Sequence, residues 1–176
     1  MIKNDLYRFK ADTSLISLIK ALKYPGFRFI FFYRISNFDI FILSHMSKFL
    51  LRYYSYKFGF QIPSSTKIGT GFYIGHHGNI IINSKTVIGK NCNIAPLVTI
   101  GKTNRGSKKG TPKIGDFVWI GTGAVIVGAI KIGSNVLIAP NSYVNFDVPS
   151  DSIVIGNPAK IIADKNATKD YINNII

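Results

Sequence analysis

Three histidines, His45, His76 and His77, are the side chains of this sequence suited to exchanging a proton near neutral pH. An imidazole within hydrogen-bond reach of a reacting group can take or give its proton in the transition state, so the chemistry open to these residues is general acid–base catalysis. Carboxylates offer little help: glutamate is absent, and the stretch between Asp39 and Asp116 holds no aspartate. Cys92 is the single cysteine. It excludes an internal disulfide and a cysteine-based metal site, and it fits a reducing cytoplasm. A zinc site of three histidines is also disfavoured, because no histidine follows His77 and sequence neighbours rarely ligate one ion together. No metal is expected.

What positions His76 and His77 is a repeat. Branched aliphatics recur every six residues at Ile114, Ile120, Ile126, Ile132, Ile138 and Val144. The register runs earlier through Ile62, Ile68, Ile74 and Ile80, slips by two residues, and resumes at Ile88, Ile94 and Ile100. Two positions before the aliphatic stands a small or branched residue, among them Cys92, Val98, Val118, Ala124 and Val136, and glycine often follows it, as at Gly75, Gly89, Gly115 and Gly121. Residues two apart share a face of an extended chain, so both point inward. The glycine supplies backbone freedom for a corner. A helix repeats every ~3.6 residues, and a spacing of six would walk the apolar stripe around it. The pattern therefore predicts a parallel β-solenoid whose coils stack at about 4.8 Å. His76, two residues after Ile74, falls on a corner and faces outward.

These repeats resemble those of the hexapeptide-repeat acyltransferases over about residues 55 to 163. The resemblance implies a mainly β fold, a left-handed parallel β-helix of triangular section with a short N-terminal α-helical segment. The division expected is residues 1–60 as the helical segment, 61–163 as the solenoid with an ejected loop at 101–113, and 164–176 as a tail or short helix. Within the first part, Ser14 to Lys23 reads as a helix capped by Thr13 or Ser14, with Leu15, Leu18, Ile19 and Leu22 on one face and Pro25-Gly26 at its end. The aromatic stretch Phe27 to Phe58 reads as one or two helices covering the open end of the first coil.

The run from Ile68 through Gly75-His76-His77 to Ile82, then Val87 to Ile94 and the restart at Pro112-Lys113-Ile114, is similar to the serine acetyltransferase branch of that family. The similarity implies that His76 is a general base, taking the proton of an acceptor hydroxyl as its oxygen attacks the thioester carbonyl of acetyl-CoA. It further implies a homotrimer with active sites between subunits. The pantetheine arm of acetyl-CoA would lie along Gly121, Gly123, Ala139 and Pro140, and Lys160 would stand near the adenosine phosphates. Backbone N–H groups at the corners could hold the developing oxyanion. His77 is either an acceptor contact or a surface residue, and His45 is structural. Trp119, on the outer face, would pack in the trimer interface or beside the cofactor. The loop 101–113, with Lys102, Arg105, Lys108, Lys109 and Lys113, would close over the site and attract anionic groups, unless it is merely a solvated excursion.

Three departures bear on the acceptor. An aspartate fifteen residues before the catalytic histidine is here Gln61, the aspartate just before it is Gly75, and an Arg-His pair in the loop is Gly110-Thr111. Gln61, His77 and Thr111 remain as acceptor-site candidates. A zwitterion needs a carboxylate for its ammonium and an arginine for its carboxylate. The expectation is thus acetyl transfer to a hydroxyl of a saccharide, a cell-surface glycan precursor. Serine O-acetyltransfer is the alternative, and a non-catalytic scaffold the third reading.

Composition sets the outer bounds. Hydrophobic residues make up 47% and charged residues 17%, which excludes disorder for most of the chain. A net charge of +14 invites nucleic acid, but the cations are spread along the chain without a recognition motif, so no such partner is expected. The mixed, polar start from Met1 to Lys10 argues against a cleaved signal peptide. Arg34, Asp39, Lys48 and Arg52 break the greasiest region, leaving too short a run to span a bilayer. A cytoplasmic location follows. Peripheral contact of Phe27 to Phe58 with the inner membrane surface is compatible with its basic and aromatic mixture, though burial of that face against the solenoid is favoured.

Overall fold

The inward ladder forms as the register requires. In the computed structural model, which describes all residues 1–176, Ile74, Ile80, Ile94, Ile100, Ile120, Ile126 and Ile138 are buried, and so are Cys92, Val98, Val118, Ala124 and Val136, which stand two positions before five of them. Short strands separated by corners wind into a parallel solenoid with three faces. The first face stacks β1 (Phe60–Gln61), β4 (Ile80–Ile82), β7 (Thr99–Gly101), β10 (Val125–Val127) and β13 (Tyr143–Val144). The second stacks β2 (Lys67–Ile68), β5 (Val87–Ile88), β8 (Lys113–Ile114) and β11 (Lys131–Ile132). The third carries β3 (Tyr73–Ile74), β6 (Asn93–Ile94), β9 (Val118–Ile120), β12 (Val136–Ile138) and β14 (Ser152–Gly156), closed by antiparallel β15 (Ala159–Ala163).

Corners are crowded because successive coils lie directly over one another. A Cβ at Gly121 would stand 2.7 Å from the Pro140 nitrogen, and one at Gly123, whose φ is +72°, would stand 2.2 Å from the Asn141 side chain. Both glycines are thus required by coil stacking itself.

Four helices precede the solenoid: α1 (Ile2–Lys10), α2 (Leu15–Ala21), α3 (Pro25–Ile35) and α4 (Phe41–Phe58). Ser14 caps α2 by accepting from the Ser17 N–H at 3.2 Å. The face expected for α2 is met in part: Leu18 and Leu22 pack with buried Ala21 against Leu6 and Phe27, whereas Leu15 and Ile19 are exposed. Pro25-Gly26 does not close α2 but opens α3, where proline needs no donor at the first turn. Helix α3 covers the open end of the first coil, with Phe29, Ile30 and Tyr33 joining the core that contains Phe60, Ile74 and Ile80. Its contact is close: a Cβ at Gly26 would fall 2.0 Å from the Ile74 carbonyl oxygen. Helix α4 buries Leu51 but leaves Phe41, Ile42, Met46 and Phe49 exposed, so this face is not covered by the solenoid. No helix is long and apolar enough to cross a membrane.

Two features lie beyond the repeat. Helix α1 lies within the segment expected to be helical but has no side-chain cap that singles it out, and its Asp5 forms a buried pair with Arg34 through Nε to Oδ2 at 2.7 Å and Nη2 to Oδ1 at 3.2 Å. Residues 164–176 form a tail without a helix. It runs in turns back along the third face, burying Ala167 and Thr168.

Candidate active site

His76 sits two residues past β3, at the corner joining the third face to the first, and is exposed as expected. Its imidazole makes no hydrogen bond within the chain and lines a cavity of about 420 Å³. One wall is the outer side of the third face, where register places Tyr73, Asn93, Trp119, Leu137 and Ile153 in a column. Helix α1 closes one side with Arg8 and Phe9, the latter ring 4.3 Å from that of Tyr73. The tail closes another: Tyr171 packs on Trp119 at 4.9 Å between ring centres, its carbonyl accepts from Asn93 Nδ2 at 3.0 Å, and Asn174 Nδ2 donates to the Arg8 carbonyl at 3.3 Å. Trp119 is thus covered by the chain's own end. The sequence did carry a hint, since outward positions on this face hold Trp119, Leu137 and Ile153 where the second face holds Lys67, Lys113 and Lys131.

The remaining candidates separate by corner. Gly121 and Ala139-Pro140 follow β9 and β12 as Gly75-His76 follow β3, so they continue His76's own edge, with Ala139 three coils or about 14 Å further along. Gly123 lies two residues beyond Gly121 on the same corner, and Lys160 is exposed on β15 beside Ile155. His77 is exposed, with its ring centre 6.3 Å from Phe58. Gln61 points outward from β1 into a different groove with Arg52, Tyr56 and Ile81, and no hydrogen bond joins it to His76. Thr111 lies at the corner between the first and second faces, where its hydroxyl donates to the Lys85 carbonyl at 3.1 Å. The loop that carries it folds into a hairpin through Thr103 and Gly110 and rests on the Gly128-Ala129 corner, with Lys108 3.7 Å from Asp147. Within one chain, neither Gln61 nor Thr111 meets His76. His45 is exposed on α4, its Nδ1 2.8 Å from the Phe41 carbonyl. No group of three His, Cys, Asp or Glu side chains is placed to hold a metal ion.

A solenoid built from six-residue repeats, with an unpartnered corner imidazole beside a cavity, defines a hexapeptide-repeat transferase. The family profile described as "Bacterial transferase hexapeptide (six repeats)" matches residues 111–145. A serine acetyltransferase of Helicobacter pylori is 33% identical over 149 residues, 80% of this chain and 83% of its own length. One from Synechococcus elongatus is 34% identical over 161 residues, 87% of this chain and 63% of the relative. The crystal structure of Neisseria gonorrhoeae serine acetyltransferase in complex with serine superposes with a TM-score of 0.72 at 32% identity, covering 90% of this chain and 66% of that one. The chain belongs to the hexapeptide-repeat transferases, in the family of the serine acetyltransferases. It spans less than two thirds of the length of several relatives it matches.

This overturns the expectation of a saccharide acceptor, since the relatives that match across most of the chain are named for serine. That expectation sought charged groups only at the positions of the familiar motif. Arg8, far away in sequence, reaches the His76 cavity from α1.

Proposed function

We propose that this chain transfers the acetyl group of acetyl-CoA to the hydroxyl of serine, with His76 as general base. The observation that carries the reading is an exposed imidazole, free of partners within the chain, on the wall of a cavity large enough for a small acceptor. A ring nitrogen takes the hydroxyl proton as the serine oxygen attacks the thioester carbonyl. The tetrahedral adduct then collapses, expelling the thiolate of CoA, which takes the proton back from the imidazolium. The edge running from His76 past Gly121 to Ala139-Pro140 offers a continuous track for the pantetheine arm. The subunit arrangement belongs to the same proposal: with Thr111 held at another corner, the loop 101–113 reaches the His76 of a neighbouring subunit in a trimer. Outward Ile81 and Tyr143 on the adjoining first face supply apolar surface for that contact.

The test is thiol release from acetyl-CoA with serine as acceptor. Replacing His76 by alanine should lower turnover by about 10²- to 10⁴-fold while CoA binding, measured by calorimetry, persists. Undiminished turnover in that variant, or no turnover of serine by the native chain, removes the reading.

A further inference from the structure

The cavity beside His76 contains a cation with no counter-charge. Arg8 is 4% exposed, yet its guanidinium meets only uncharged groups: Nε donates to the Gly71 carbonyl at 3.1 Å, Nη2 donates to the Asn93 side-chain oxygen, and the carbon between them lies 5.8 Å from the centre of the Tyr73 ring. The carboxylate on the same helix, Asp5, is taken up by Arg34 and by the backbone N–H groups of Gly71 and Phe72. The ion pairs of the chain are Arg34–Asp5 and Lys108–Asp147, and neither involves Arg8. No carboxylate lines the cavity. Nη1 has no partner within the chain and is not sealed from solvent.

A buried charge held only by neutral dipoles is costly, and an anion delivered by a ligand offsets that cost. Desolvation accordingly pushes Arg8 below its ordinary value. Around it stand amides and aromatic rings, Asn93, Asn174, Tyr73 and Trp119, which suit a small polar molecule. We propose that Arg8 binds the carboxylate of the acceptor, so that a small hydroxy acid spans the cavity with its carboxylate on the guanidinium and its hydroxyl at His76. The proposal rests on the serine reading and deepens it: α1 supplies the cation that Gly110 does not supply from the loop.

Trp119, the single tryptophan, lies in the cavity wall and reports its occupancy by fluorescence without any turnover. The full chain is titrated with L-serine and with L-serinamide, which keeps the hydroxyl and ammonium but lacks the carboxylate. Serine should give a saturable change, and serinamide should bind about ten- to a hundredfold more weakly, the range expected for loss of a charge-assisted bond. Arg8→Gln should erase the difference, Arg8→Lys should restore part of it, and in the acetyl-transfer assay Arg8→Gln should raise KM for serine far more than it lowers kcat. Equal binding of the two ligands, no saturable response to serine, or native affinity in Arg8→Gln overturns the proposal. If Arg8→Gln fails to fold, the two ligands on the native chain decide the matter. Carboxylate-dependent binding without serine turnover would remove the activity and leave Arg8 its role; turnover of serine and serinamide at equal KM would do the reverse.

Discussion

Cys92 shows how a residue's type and its chemistry part company. Inside the ladder, fully buried, it acts as a small apolar filler, and burial pushes its thiol up to about 12. Since the thiolate is the reactive form, almost none exists at pH 8. The native chain should therefore resist a thiol-labelling reagent at that pH and react promptly once unfolded in urea, which mass spectrometry reads directly. Prompt labelling of the folded chain would mean that the coil opens there. His76 is the opposite case. The repeat alone places it outside the core, at a corner, and the structure finds it there, whereas His77, its neighbour, is turned toward Phe58 rather than into the cavity.

Among the elements, α1 closes one side of the His76 cavity although nothing in its local pattern announces it. It is held by Asp5, which accepts from Gly71 N–H at 2.7 Å and Phe72 N–H at 3.2 Å and pairs with Arg34, whose Nη1 also donates to the Ile68 carbonyl at 2.7 Å. The group is fully buried, so removing one partner strands the other. Asp5→Asn should cost about 3–5 kcal/mol of stability, read as a lowered urea midpoint. A change below about 1 kcal/mol, the worth of an exposed pair, would show that α1 is not docked as described. Because Arg8 lies one turn from Asp5, the variant should also weaken serine binding. At α3, Gly26 plays a comparable part by letting the helix approach the Ile74 carbonyl, directly beneath Gly75 and His76.

For the whole molecule, the separation of Thr111 from His76 is the informative fact. A loop resting on the Gly128-Ala129 corner cannot complete a site on another corner of the same prism, so the proposed trimer has a structural motive. Light scattering should give three times the 19.5 kDa chain mass, and a monomer that turned over serine at full rate would end the proposal that the site is shared.

From the sequence alone, the period of six determines the inward ladder, the parallel coil and the corner position of His76, while the three-sided section comes with the family resemblance. The first three follow from alternation along an extended chain, which is local. The expectation of a saccharide acceptor rests on Gln61, Gly75 and Gly110-Thr111 taken as motif positions, and motif positions do not report what approaches from elsewhere. The cavity is made by α1 and the tail folding over the outer third face, through bonds such as Arg8 to Asn93, 85 residues apart, and Asn174 to Arg8, 166 apart. Contacts at such separation arise when the chain ends find the surface that the coils have built, and only the tertiary structure decides them.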